Sequence, residues 1–409
     1  MLAQLDHRYH LQARLEWVIQ GALVLYTVCA LLSISALQAA YILALLAWVL
    51  RIALSGDTQH LRWPFLLPYG AFVVASLLAT ITGVEPVTSL IELRNVGEML
   101  LFYLVLNVVH TTARATLLTR GLIVTGTLTA LYGLAQAWMY GESFRAHGTM
   151  SIYMTFAGLL MLVTLMALAS LLYGRLRWHL AWALPATLVL LAALLATHTR
   201  GAWCGFIAGC GVLLGCQQRR RLLALPLAVL LLLFLVPQSV RMRVLSMVDR
   251  HEVTAQERLS MWVSGLHILQ TYPWTGIGMG AMATVYPRYR EPASPIAATR
   301  RLGHLHNNII QVGAERGVLG LATWLWFWGA YGWYAWRIYT RLGPGRTPAH
   351  ALVIGSLASV VAFHVEGLFE YTFGDAEVIS LTYFLMALPF VVQRACLQAP
   401  VGQEVSRVV

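Results

Sequence analysis

The sequence predicts an all-α, polytopic membrane protein of about twelve helices with one large, partly helical loop on one face. Three observations predict it. Hydrophobic residues make up 59% of the 409-residue chain and charged residues 11%, whereas a soluble helical protein of this size interleaves far more charge on its surface. The apolar residues come in blocks of about twenty, the length that crosses a hydrocarbon core of ~30 Å. Arginines, finally, recur at every alternate loop.

Taken in order, the apolar runs predict helices at 17–34, 36–54, 64–82, 95–110, 116–138, 150–173, 178–197, 201–216, 222–238, 307–337, 350–369 and 377–394. The start carries Arg8 and Arg14 but no cleavage-site pattern, so the first span is expected to stay as an anchor. With the N-terminus in the cytoplasm, Arg8/Arg14, Arg51/Arg62, Arg114/Arg120, Arg175/Arg177, Arg219/Arg220/Arg221, Arg337/Arg341/Arg346 and Arg394 all fall on one side, as basic residues do in cytoplasmic loops. Both termini are then cytoplasmic. The long loop, Glu142–His147, His198–Arg200 and Glu366–Glu377 face the other side, which in a bacterial inner membrane is the periplasm. Three regions follow: helices one to nine over 1–237, a periplasmic loop domain with surface helices over 238–305, and the last three helices with a cytoplasmic end over 306–409.

Charge and cysteine content narrow the class. A net charge of +11 reflects these cytoplasmic loops and not nucleic-acid binding. All 28 basic residues are arginine, a composition bias from which no mechanism follows. The five cysteines lie in or beside predicted spans with no paired spacing in the loop, so they propose neither disulfides nor a metal site.

Within the polar passage from Gln238 to Arg316, Ala255–Gln270 reads as a helix with an apolar stripe of Leu259, Trp262, Val263, Leu266 and Leu269. It should lie along the membrane surface or pack on the bundle. Pro273 ends it, Gly276, Gly278 and Gly280 make a tight turn, and Ala281–Tyr286 forms a short helix closed by Pro287. No strand precedes these glycines and no acid follows at the dinucleotide-binding distance, which excludes that reading. Pro292, Ser294 and Pro295 mark an extended return, and His304–Asn308 open the tenth span.

The outward arginines and histidines carry the candidate chemistry. His304 and His306 would diverge if helical, and the loop offers few acids, so a metal is not expected. His304, Asn308, Gln311 and Glu315 share a helical face, as a polar cap or as the setting of a general base, since imidazole titrates near ~6.5. Arg200, in Thr199-Arg200-Gly201, either anchors to lipid headgroups or recognises a phosphate. Arg258 has the same two readings, one turn before Trp262. Arg145 sits in the short outward loop Phe144-Arg145-Ala146-His147, and Arg94 and Glu98, four apart, are expected to neutralise each other on one helix. Glu366, Glu370, Asp375 and Glu377 crowd the last outward loop, to orient the arginines, bind a second substrate or face water.

Taken together, Thr199-Arg200-Gly201, Arg258 to Trp262, Pro273 to Gly278 and His306-Asn307, with about twelve spans and a long loop before a late span, resemble the O-antigen ligase family (WaaL) over residues 140–320 in detail. The resemblance implies a GT-C-type membrane glycosyltransferase of the Gram-negative inner membrane. It would move O-antigen polysaccharide from undecaprenyl diphosphate to lipid A-core oligosaccharide at the periplasmic face. His306 would be the catalytic base, while Arg200, Arg258 and, less diagnostically, Arg145 would hold the diphosphate; His304, Asn307, His147 and Glu366 form a second tier. No cofactor and no metal are implied. The loop around Ser33 to Ser35 has no acidic pair of the metal-dependent type, and direct displacement with inversion is expected. An O-antigen polymerase or a protein O-oligosaccharyltransferase differs only in the acceptor. A transporter would more naturally place its charges at mid-membrane.

Overall fold

A computed structural model describes residues 2–56, 58–141, 143–174, 176–217, 237–246, 252–292, 294–295 and 302–398. Among them every regular element is a helix. In chain order these are α1 (Leu2–Cys29), α2 (Ile34–Ser55), α3 (Leu66–Thr82), α4 (Pro86–Glu92), α5 (Arg94–Gly97), α6 (Leu100–Val108), α7 (Thr112–Tyr140), α8 (Tyr153–Tyr173), α9 (Leu176–Ala196) and α10 (Arg200–Gln217). Then come α11 (Gln238–Leu245), α12 (Val253–Thr271), α13 (Met282–Tyr289), α14 (Asn308–Leu342), α15 (Pro348–Glu366), a 3-10 turn (Thr372–Gly374) and α16 (Ala376–Gln398). Five of them, α2, α7, α8, α15 and α16, are long and apolar enough to cross a membrane. The chain is a multi-pass, all-α membrane protein.

Local chemistry accounts for the helix ends. Ser33, Thr111 and Thr347 each accept a hydrogen bond from a first-turn amide of α2, α7 and α15, and Gly56 closes α2 in the left-handed conformation. The helix bounds depart from the apolar runs in two places. The span expected at 95–110 is broken into α5 and α6 around Glu98 and Met99. There Glu98 accepts a 3.0 Å hydrogen bond from Gln38 and is not ion-paired with Arg94. The tenth helix runs on to Leu342 and is kinked at Gly317. The expected span at 222–238 lies almost wholly outside the described residues, as do Arg175 and Arg219 to Arg221.

Two packing features bring the loops together at one end of the bundle. In the first, α10 packs on α15 through small residues: a Cβ on Gly205 would meet the Ala362 carbonyl oxygen at 2.6 Å, and one on Gly209 would meet that of Ala358 at 3.1 Å. This antiparallel contact sets Arg200, which opens α10, beside Glu366, which ends α15. In the second, Gly317 adopts φ 65°, ψ −169°, a conformation open only to glycine, and interrupts the hydrogen-bond ladder of α14. The Pro273–Gly280 turn completes that ladder. Ile277 and Gly278 donate to the carbonyls of Ala314 and Glu315 (both 3.0 Å), while Val318 and Leu319 donate to those of Pro273 and Trp274 (2.7 and 3.3 Å). The three glycines, all at positive φ, therefore form a tight turn that clamps the loop onto α14.

The surface helix α12 has two faces. Met261, Ser264, Gly265 and Ile268 are buried, with Gly265 close against Leu305 and Ile310 at the start of α14. Leu259, Val263 and Leu266 are exposed. Only part of the apolar stripe expected from sequence thus remains as an outward apolar face.

Candidate active site

The N-terminus of α14 and the loop after α15 are stitched together by asparagines. Asn307 caps α14 by accepting from the Ile310 amide and donates from its own amide to the Leu368 carbonyl (both 3.0 Å). Asn308 receives the Phe373 amide and donates to the Thr372 hydroxyl (both 3.0 Å), while its backbone amide donates to the Gly367 carbonyl at 2.7 Å. These bonds fix the segment from Gly367 to Phe373 against His306. Behind them Gln311, Glu315 and Arg316 form a buried network: Gln311 accepts from the Leu305 amide (2.8 Å) and donates to Glu315 (2.9 Å), which also accepts from Arg316 and Tyr371.

This scaffold places His306 Nδ1 2.8 and 2.9 Å from the two carboxylate oxygens of Glu370. Nδ1–H therefore donates to the carboxylate, and Nε2 keeps the lone pair. His306 itself sits at φ 51°, a left-handed conformation unusual for a side chain of this size and typical of constrained functional sites. Burial would raise the Glu370 carboxyl, but the hydrogen bond from His306, the electrostatic attraction of the two histidines and the hydrogen bond from the Tyr371 amide outweigh it and hold the group below its usual value. His304 does not lie on the helix. Its ring stands 4.3 Å from that of His306, nearly perpendicular, with Nδ1 3.8 Å from Glu370. Burial, followed by the neighbouring imidazole of His306, lowers its pKa.

His306 and Glu370 form one wall of a cleft of about 220 Å³ whose other walls include Arg145, Arg200, Arg243, Arg258 and Glu366. Arg200 donates to Glu252 at 2.6 Å and to the Ser246 hydroxyl at 3.1 Å, and Arg243 donates to the other oxygen of Glu252 at 3.2 Å. Arg145 stacks over Tyr153, 4.5 Å from its centroid. Arg258 makes no hydrogen bond or ion pair among the described residues. Burial and the positive charges of Arg200 and Arg145 push Arg243 below the ordinary arginine value, as a crowd of cations with too few anions must. Glu366 also lines the cleft, but its side chain is fully buried, with one carboxylate oxygen against Gly158 of α8, and neither oxygen has a hydrogen-bond partner. A mainly apolar groove of about 280 Å³, lined by Cys204, Leu259, Trp262 and Phe369, adjoins the cleft and shares Arg200 and Arg258 with it.

Of the residues singled out from sequence, the structure brings His306, Arg200, Arg258, Arg145 and Glu366 to one cleft, with His304 against its wall. Asn307 is a helix cap. His147 hydrogen-bonds the Met150 carbonyl at 2.8 Å within its own turn and does not line the cleft. The expectation that the two histidines diverge on a helix does not hold, because both precede α14, and the acid missing from their loop arrives from the loop after α15. Sequence reasoning did not single out Glu370 as the partner of His306, nor Arg243 and Glu252. The signal for Glu370 was present only as one acid among four in a crowded loop.

Residues 185–325 match the Wzy_C family, described as O-antigen ligase, a segment that holds Arg200, Arg243, Arg258, His304 and His306. No curated protein matches the chain. Over this segment, about a third of the chain, the protein is similar to the O-antigen ligase family, in a helical membrane fold that gathers arginines and a carboxylate-oriented histidine at one cleft.

Proposed function

We propose that this protein is an O-antigen ligase that transfers polysaccharide from undecaprenyl diphosphate to a sugar hydroxyl of lipid A-core oligosaccharide at the periplasmic face of the inner membrane. The observation that carries this reading is the cleft itself: four arginines face a histidine whose Nδ1 is held by Glu370. The donor brings its own leaving group, so the reaction needs a base for the acceptor hydroxyl and cations for the departing diphosphate. His306 Nε2 takes the hydroxyl proton as the sugar oxygen attacks the anomeric carbon. The bond from that carbon to the diphosphate oxygen breaks, its electron pair leaves with the lipid diphosphate, and the configuration inverts. Glu370 holds the ring in register and stabilises the imidazolium that forms. Arg258, Arg145 and the Arg200–Arg243 pair receive the diphosphate, supplying its counter-charge without a metal. The adjoining groove between α10 and α12 suits the first isoprene units.

Transfer from a synthetic undecaprenyl-diphosphate glycan to purified rough lipopolysaccharide, by detergent-solubilised protein with chelator present, tests the reading. A ladder shift of the lipopolysaccharide is expected. Lengthening of the donor glycan instead would identify a polymerase and overturn the acceptor assignment.

A further inference from the structure

We propose that His304, His306 and Glu370 form a binding site for a zinc-class divalent cation, and that the bound cation switches transfer off. Three observations carry the site. The ligand atoms of the three side chains all lie within 4.8 Å of one another, with the closest pairs at 2.8 Å (His306 to Glu370) and 3.8 Å (His304 to Glu370). A tetrahedral shell with bonds of about 2.1 Å places its ligands roughly 3.4 Å apart, within that range. Second, His304 Nδ1 is a buried nitrogen with no hydrogen-bond partner. It stands toward the Glu370 carboxylate at a distance too long to bond directly and short enough to share an ion. Third, two imidazoles and one carboxylate make a nitrogen-rich set that favours Zn²⁺ and Cu²⁺ over Mg²⁺ or Ca²⁺.

The inhibitory consequence rests on the proposed role of His306 as base. Without a cation, Nδ1–H faces Glu370 and the lone pair is on Nε2. When Nδ1 instead donates its lone pair to a metal, the single ring proton of neutral imidazole moves to Nε2. That nitrogen then offers a hydrogen to the cleft and can no longer remove one. The cation also neutralises Glu370, which withdraws the charge that would stabilise the imidazolium. In this scheme the His306–Glu370 pair opens from 2.8 Å to roughly 3.4 Å to take the ion, and the ring proton of His306 changes nitrogen.

The test uses the full chain in detergent, without a polyhistidine tag, titrated with Co²⁺ as a spectroscopic probe and Zn²⁺ as competitor. One equivalent of Co²⁺ should give visible ligand-field bands that Zn²⁺ displaces. Binding should weaken by about tenfold or more in His304→Ala and in Glu370→Gln, with His304→Gln as a second variant should the alanine protein fail to elute as a monodisperse species. Zn²⁺ should inhibit transfer at the concentration at which it displaces Co²⁺, and His304→Ala, measured against its own metal-free rate, should need about ten times more. Absence of a one-equivalent site, or equal affinity in His304→Ala, would overturn the site. Stoichiometric Zn²⁺ with undiminished transfer would overturn the switch. Because Co²⁺ binding is read without turnover, full activity in His306→Ala would remove the base assignment and the switch while leaving the site itself to stand or fall on the titration.

Discussion

Replacing Glu370 by Gln keeps the shape of the side chain and removes its charge. His306 Nδ1 donates to this carboxylate at 2.8 and 2.9 Å, and the Tyr371 amide donates to it at 3.1 Å. An amide oxygen can still accept the Nδ1–H, so the ring keeps its orientation and the lost quantity is the charge opposite an imidazolium. Hydrogen bonds to charged groups contribute about 1.5–3 kcal/mol, which at 1.36 kcal/mol per decade is roughly a 10- to 160-fold loss of rate. That interaction strengthens as the proton arrives on His306, so the loss should fall on kcat, with the KM for the lipid-linked donor nearly unchanged. Steady-state transfer with varied donor, followed by gel separation of the lipopolysaccharide product, separates the two constants. A Gln variant with wild-type kcat and a raised donor KM would refute the reasoning and make Glu370 a binding residue.

Other parts of the account are checked independently. Arg258 makes no hydrogen bond or ion pair among the described residues, so Arg258→Ala should leave the melting temperature close to wild type while raising the donor KM about tenfold or more, the scale of a charged hydrogen bond to phosphate; a large loss of Tm with an unchanged KM would contradict this. Burial raises Glu252, but the hydrogen bond and charges of Arg200 and Arg243 prevail and set its folded pKa below the unfolded value. The stability this carboxylate contributes is therefore present above the unfolded value near ~4.3 and lost only as pH falls through the lower folded one. The Tm difference between wild type and Glu252→Gln should stay constant from pH 7 to about pH 5 and shrink only below that; a difference already closing at pH 6 would contradict it. A Cβ on Gly317 would stand 2.3 Å from the Trp274 carbonyl carbon, in backbone space that costs roughly 1–3 kcal/mol for other residues. Gly317→Ala should lower Tm and loosen the Pro273–Gly280 turn to proteolysis, whereas Gly329→Ala, with open space at its Cβ, should do neither.

The sequence carries the bundle more fully than the site. Apolar runs of membrane-spanning length leave little freedom, and the helices at Ile34–Ser55 and Tyr153–Tyr173 begin and end within a few residues of where hydropathy sets them. What hydropathy cannot see is a break inside an apolar run. The interruption at Glu98 falls where that residue accepts a tertiary hydrogen bond from Gln38, 60 positions away, and the kink at Gly317 is matched by a loop that lends it carbonyls and amides. The arginines were legible because, in the topology the charge rule itself sets, they fall on the side expected to be poor in basic residues. The pairing of His306 with Glu370 spans 64 positions and is created by Asn307 and Asn308 tying two loops together, which no local spacing encodes. The two histidines were read on a helix that in fact begins only at Asn308, and for that reason their convergence was missed.

The central claim is that His306, held by Glu370 opposite the arginines, removes the acceptor proton. The most direct measurement compares wild type and His306→Gln for donor binding and for single-turnover transfer to rough lipopolysaccharide. The account predicts donor binding within about twofold of wild type, since the arginines are untouched, and transfer reduced by roughly 10²- to 10⁴-fold, the range of a lost general base. Transfer at the wild-type rate with donor bound would contradict it.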